Sequence, residues 1–127
     1  MKKIKKVKIK SFISVSGKLV PFTFNKNFPI PVKRIFFLYG KKNKIRGDHA
    51  HKKCIQFFLQ IKGKSIIKLS DKKKEKKFIL NEKKKVILAV YPKTWVKINF
   101  LTNNNLTLVM CSHEYSKKDY ITDFNKI

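Results

Sequence analysis

The feature that most constrains this chain is a recurrence of short segments rich in β-branched and aromatic residues, each closed by turn formers. Such segments occupy residues 7–13, 18–24, 32–39, 54–61, 65–70, 77–80, 86–91, 95–101 and 106–112. Between them stand Ser16-Gly17, Pro29 with Pro31, Gly40, Gly63, Ser70-Asp71, Asn81, Pro92 and Asn103-Asn104-Asn105. β-Branched and aromatic side chains suit a pleated, half-buried surface, while Gly, Pro and Asn supply turn conformations. Many short strands at this spacing predict an all-β sandwich or barrel, with the jelly roll among the standard solutions. Only residues 114–124 leave room for a short helix or turn. No repeat or linker divides the chain, so its 127 residues predict a single domain large enough to bury a core.

Alternation of apolar and polar residues marks which strands have one wet face. Ser65-Ile66-Ile67-Lys68-Leu69 and Trp95-Val96-Lys97-Ile98-Asn99-Phe100 partly alternate. Cys54-Ile55-Gln56-Phe57-Phe58-Leu59 does not, which predicts a strand covered on both sides. In a chain this small the second cover is read as a subunit interface, and a homodimer is expected.

A net charge of +25 invites a nucleic-acid or acidic-membrane reading. Composition argues against nucleic acid as the main role. Of 32 basic residues only Arg34 and Arg46 are arginine, the usual reader of base edges. The lysines are spread along the chain, and Lys, Ile, Asn and Phe abundance is what A/T-rich codons produce. No apolar run approaches the roughly 20 residues that span a bilayer, and no apolar stretch of signal-peptide type follows the basic Met1-Lys2-Lys3-Ile4-Lys5-Lys6. A cytoplasmic protein with no membrane partner is expected. Cys54 and Cys111 read as reduced, buried thiols, since two cysteines make neither a disulfide framework nor a zinc spacing.

Chemistry concentrates in Arg46-Gly47-Asp48-His49-Ala50-His51-Lys52-Lys53, which holds two of the three histidines. In a strand His49 and His51 share a face. Paired imidazoles beside a guanidinium and two ammoniums suit proton transfer on an anionic substrate. His49-x-His51, followed by Gln56 and then Gly63, has the spacing of the first sequence motif of the cupins. There, two histidines and a glutamate usually bind a metal and the glycine turns into the next strand. Here Gln56 replaces the glutamate, and Val96 stands where a further histidine would fall. Too few ligands remain for a catalytic metal, so none is expected.

Over residues 11–124 the chain resembles the metal-free cupins that isomerise nucleotide-linked keto sugars, the dTDP-4-keto-6-deoxyglucose 3,4-ketoisomerases. The segments carrying the resemblance are Ser16-Gly17-Lys18-Leu19-Val20, the stretch from Phe28 to Phe37, Arg46 to Lys53 with Gln56, Pro92-Lys93-Thr94-Trp95, and the stretch from Glu114 to Ile121. The resemblance implies a cupin jelly roll that needs no cofactor. It further implies a dTDP-linked 4-keto-6-deoxyhexose as substrate and a place in making a 3-amino sugar for surface glycans. It makes His49 the base that removes the C3 proton, with His51 as relay or orienting partner. Arg34 and Arg46 are assigned to the diphosphate, since Arg forks onto phosphate oxygens. Lys52 and Gln56 complete the binding set. Tyr39 is a candidate donor to the enediolate and Trp95 a candidate wall of the pocket. Ser16 and Val96 depart from the family at positions associated with product configuration at C4, so that configuration is left open. A 3,5-epimerase and a non-catalytic nucleotide-sugar binder are the alternative readings.

Overall fold

The structure, a computed structural model, describes residues 6–24, Phe28 and residues 31–127. Pro29, Ile30 and the first five residues of the basic N-terminus lie outside the described residues.

Among the described residues twelve strands form: β1 (Lys6–Lys8), β2 (Phe12–Ser14), β3 (Gly17–Leu19), β4 (Arg34–Gly40), β5 (Ile45–His51), β6 (Gln56–Lys62), β7 (Lys64–Ser70), β8 (Glu75–Asn81), β9 (Val86–Val90), β10 (Trp95–Phe100), β11 (Asn105–Cys111) and β12 (Tyr120–Ile121). Two sheets hold ten of them, in the orders β1-β9-β6-β11-β4 and β12-β5-β10-β7-β8, and β2 pairs with β3 as a separate hairpin. All pairings are antiparallel. Most neighbours in space are not neighbours in sequence, as in a jelly roll. The expected all-β cupin architecture is therefore what the chain forms. Residues 114–124 hold a short 3-10 turn (Lys117–Asp119) and β12.

The sheets face each other through one apolar layer. Phe36 and Leu38 of β4, Phe58 of β6, Leu88 and Val90 of β9 and Val109 of β11 meet Ile67, Leu69, Phe78, Leu80, Val96, Ile98 and Phe100 of the opposing sheet. Each fully buried aliphatic or aromatic side chain in such a layer contributes about 1.5–3 kcal/mol. The unalternating strand β6 is covered on both faces, as its sequence predicts. Its second cover, however, comes from the chain itself. Phe57 and Leu59 pack on Ile87, Ala89, Leu108, Met110 and Phe28, with Ile9, Phe22 and Val32 of the N-terminal segment over them. The doubly covered strand therefore needs no second copy of the chain.

At one end of the sandwich a closed polar network ties β6, β7 and β11. Gln60 Nε2 donates to Asn105 Oδ1 at 2.7 Å, Ser65 Oγ donates to the same oxygen at 3.2 Å, and Asn105 Nδ2 donates to the Lys64 carbonyl at 2.9 Å. Asn105→Ala strands buried donors, which costs about 1–3 kcal/mol. We expect a loss in that range in urea unfolding of the variant, with an unchanged m-value. Gln56 and Cys111 stand at the other ends of β6 and β11. No helix among the described residues is long and apolar enough to cross a membrane.

Candidate active site

The site begins with a β-bulge. Along the β5–β10 ladder Val96 pairs with His49 and Lys97 with Gly47, so Asp48 has no partner. Gly47 has φ +85° and Asp48 φ +62°, which suits a bulge that starts on glycine. Asp48 is exposed, and its Oδ1 accepts from Trp95 Nε1 at 2.9 Å, with Lys97 Nζ at 3.9 Å. The extra residue changes the alternation: Arg46 and His49, three apart, both line one cavity. A Cβ on Gly47 would stand 2.9 Å from the Val96 carbonyl oxygen. Gly47→Ala is therefore expected to lose about 1–3 kcal/mol of stability and most of any activity. Paired thermal melts and turnover assays measure both.

That cavity, about 280 Å³, lies between the sheets and is lined by Arg34, Phe36, Arg46, His49, Gln56, Phe58, Val96, Ile98 and Tyr120 among others. Its volume falls just below the roughly 300–1,000 Å³ usual for small-molecule sites. A ligand larger than a monosaccharide must extend over the rim. Beside it lies a larger depression of about 600 Å³, lined by Lys33, Lys52, Lys53, Lys118 and Asp119 among others.

His49 and His51 do share a face, with ring centroids 5.0 Å apart. Tyr120 packs on both, at 4.8 Å from His49 and 4.5 Å from His51. This follows from β12 pairing with β5, where Tyr120 stands opposite His51. Burial pushes the pKa of His49 down and the nearby His51 adds to that. A hydrogen bond to the Gly47 backbone and the charge of Asp48 oppose it, and the net shift is downward from 6.5. His49 is thus a neutral imidazole at neutral pH. With one nitrogen given to the Gly47 carbonyl, the other is an acceptor.

His51 is buried, and its Nδ1 lies 2.9 Å from Asp119 Oδ2. Asp119 also accepts from the Lys53 amide at 2.8 Å and the Cys54 amide at 3.3 Å. Burial raises the Asp119 pKa, but the hydrogen bonds from His51 and the two amides outweigh it and hold the carboxyl below its ordinary value. An ionised Asp119 places the His51 proton on Nδ1 and leaves Nε2 as acceptor. That Nε2 is buried without a hydrogen-bond partner.

Of the residues singled out from sequence, Arg34, Arg46, His49 and Gln56 meet in the cavity, with His51 directly behind His49. Arg34 lies between two rings, 4.7 Å from that of Phe36 and 5.1 Å from that of Tyr115. Gln56 donates to Cys111 Sγ at 3.6 Å rather than to a histidine. Besides His51, three of them lie outside the cavity lining. Tyr39 is 79% exposed on the outer face of β4, because 34, 36 and 38 face in and 35, 37 and 39 face out. Trp95 faces away from Val96, bonding Asp48 and packing against Phe124 at 5.6 Å. Lys52 is exposed on the rim of the lysine-lined depression. Sequence reasoning passed over Tyr120 and Asp119, which the β12 pairing brings to the histidines.

The metal-binding arrangement of cupins does not form. Gln56 is an amide already bonded to Cys111, and Val96 is a hydrocarbon in the cavity wall. His49 and His51 alone are short of the three protein ligands a catalytic metal needs.

The sequence model of the family described as "FdtA: WxcM-like, C-terminal" matches residues 2–127. A TDP-4-oxo-6-deoxy-alpha-D-glucose-3,4-oxoisomerase of Aneurinibacillus thermoaerophilus is 30% identical over 122 residues, 95% of this chain and 87% of the relative. The 3,4-ketoisomerase QdtA of Thermoanaerobacterium thermosaccharolyticum was solved as a histidine-to-asparagine variant in complex with TDP-4-keto-6-deoxyglucose. It superposes with a TM-score of 0.91 at 27% identity, over 99% of this chain and 91% of its own. WlaRB, the TDP-quinovose 3,4-ketoisomerase of Campylobacter jejuni, superposes with a TM-score of 0.89 at 26% identity, over 99% and 97% of the two chains. Matched in sequence over residues 2–127 and in fold over nearly its full length, this chain belongs to the WxcM-like family.

Proposed function

We propose that this chain is a cytoplasmic isomerase that moves the keto group of dTDP-4-keto-6-deoxyglucose from C4 to C3. The observation that carries the reading is His49 lining a cavity that also holds both arginines of the chain, with burial pushing its pKa down toward the neutral form. The C4 ketone acidifies the C3 proton. The free nitrogen of His49 removes that proton, and the C–H electron pair forms the C3–C4 double bond of an enediolate. The carbonyl pair moves onto O4, which takes up the proton that O3 gives up, and protonation at C4 leaves the ketone at C3 and a hydroxyl at C4. No electrons leave the sugar, so no redox partner is consumed. Arg34 and Arg46 bind the diphosphate as it leaves the cavity. Tyr120, rather than Tyr39, is the candidate donor to the enediolate oxygen, being the tyrosine that lines the cavity and touches both imidazoles. The product suits an aminotransferase that makes a 3-amino sugar for surface glycans.

Proton NMR with dTDP-4-keto-6-deoxyglucose in D₂O tests this. Exchange at C3 with a new 3-keto species is expected, and trapping the product with an aminotransferase reads its C4 configuration. Exchange at both C3 and C5 would favour the epimerase. Binding without exchange would favour a nucleotide-sugar binder.

The functional unit in this proposal is a homodimer. The support is an edge strand with an apolar outer face: Ile35, Phe37 and Tyr39 of β4 are 55%, 50% and 79% exposed. An uncovered edge of this kind is an association surface. Ile35→Glu with Tyr39→Glu is expected to give a monomer in sedimentation velocity, where the unaltered chain sediments as a dimer. Equal sedimentation of the two would reject this face as the interface.

A further inference from the structure

Behind the histidine pair the fold gathers three donor atoms of different chemistry. A ring nitrogen of His51, Sγ of Cys54 and a carboxylate oxygen of Asp119 all lie within 4.8 Å of one another. His51 and Cys54 are each 6% exposed, and the Asp119 side chain 14%. His51 ends β5 and Cys54 follows it in the turn to β6. The third is brought by the 3-10 turn before β12. We propose that these three side chains bind one zinc ion, or a similarly soft divalent cation, with water in the fourth position.

The donor set itself supports the assignment. Imidazole nitrogen, thiolate and carboxylate are the zinc ligands of proteins, at about 2.0–2.2 Å for nitrogen and oxygen and about 2.3 Å for sulfur. Tetrahedral geometry at those lengths separates the donors by roughly 3.3–3.8 Å. The His51–Asp119 contact of 2.9 Å opens slightly to admit the ion, and the sulfur moves inward by a change of side-chain torsion. The outer partners are in place. The amides of Lys53 and Cys54 fix the carboxylate. Ser112 Oγ donates to the Cys54 sulfur at 4.0 Å and is itself held by the Ile55 amide, which donates to it at 2.8 Å. The depression that Asp119 lines gives the ion a path from solvent. Lys52, Lys53 and Lys118 on that rim repel cations, so affinity rests on the three ligands and not on the surface field. This set shares only His51 with the cupin metal motif, whose other positions here include Gln56 and Val96.

The ion replaces the proton held between His51 and Asp119, and the Cys54 thiol proton where the sulfur carries one. Binding would thus take His51 out of any proton relay. That consequence rests on the isomerase reading, whereas the binding itself does not.

The experiment is titration of the metal-free, reduced full-length protein with Co²⁺, followed by displacement with Zn²⁺. A stoichiometric near-ultraviolet thiolate-to-cobalt charge-transfer band is expected, bleached by one equivalent of zinc. Cys54→Ser should abolish the band and weaken zinc binding more than about tenfold. Cys111→Ser should keep the band. Absence of the band in the unaltered protein, or its persistence in Cys54→Ser, overturns the site. X-ray absorption at the zinc edge of the unaltered protein guards against a misfolded variant. One sulfur with nitrogen and oxygen scatterers supports the assignment, and a purely nitrogen–oxygen shell refutes it.

Discussion

His49→Ala is expected to lower turnover of dTDP-4-keto-6-deoxyglucose by about 10²–10⁴-fold, the usual contribution of a positioned general base, while binding of dTDP is unchanged. The two halves of that expectation have separate causes. The diphosphate contacts are assigned to Arg34 and Arg46, which come from β4 and from the residue before the bulge, and the Arg34 guanidinium is held between the rings of Phe36 and Tyr115 rather than by His49. Removing the imidazole therefore leaves the anion site standing. His49 is half-buried, packs on His51 and Tyr120 through ring contacts, and its backbone hydrogen-bond partner Gly47 is an exposed residue. Its truncation opens space at the cavity wall without stranding a buried hydrogen-bond partner. Isothermal titration with dTDP and the C3 exchange rate in D₂O read the two halves independently. Retained turnover would remove His49 from the role of base and turn attention to His51. Loss of dTDP binding in step with turnover would mean that the change acts on the cavity and not on proton transfer.

The placement of these groups shows what a sequence can specify and where tertiary pairing decides. Strand content was legible because β-branched and aromatic segments ended at turn formers. β5 escaped that criterion, since Ile-Arg-Gly-Asp-His-Ala-His is mostly polar and exposed until its last residues. It was inferred only through the shared face of its two histidines. The bulge that puts Arg46 beside His49 was present in the sequence as Gly47-Asp48, a pair that readily takes positive φ. Tyr39 and Trp95 could have been set aside by alternation alone. Each has the opposite parity to a residue facing the cavity, Arg34 in the first case and Val96 in the second. Asp119 was a different matter. It stands 68 residues from His51 in sequence, and no local pattern tells which acid of a C-terminal turn will meet a buried imidazole. The double cover of β6 was also legible, but not its source, because periodicity reports that a face is buried and not what buries it.

Asp119→Asn is the second change with a large expected effect. Its carboxylate receives three donors at once: the Lys53 amide on Oδ1, and the Cys54 amide and His51 Nδ1 on Oδ2. A carboxamide has one acceptor oxygen and one donor nitrogen. With the oxygen toward Lys53, the NH₂ faces the Cys54 amide, donor against donor, and forces the His51 proton from Nδ1 to Nε2. His51 then presents a donor where it had an acceptor. With the amide turned over, the His51 tautomer survives, but the NH₂ meets the Lys53 amide. Either orientation leaves a donor unpaired, at about 1–3 kcal/mol of stability. If His51 relays or orients the proton transfer, the tautomer change adds a loss of about 10–100-fold in kcat, the range for removing a group that orients a functional histidine, with little change in KM. The kcat against KM split, measured below the onset of the variant's thermal transition, separates the two effects. A fully folded Asp119→Asn protein with unaltered kcat would show that Asp119 only fastens the C-terminal turn to β5, and that His51 does not depend on it for its protonation state.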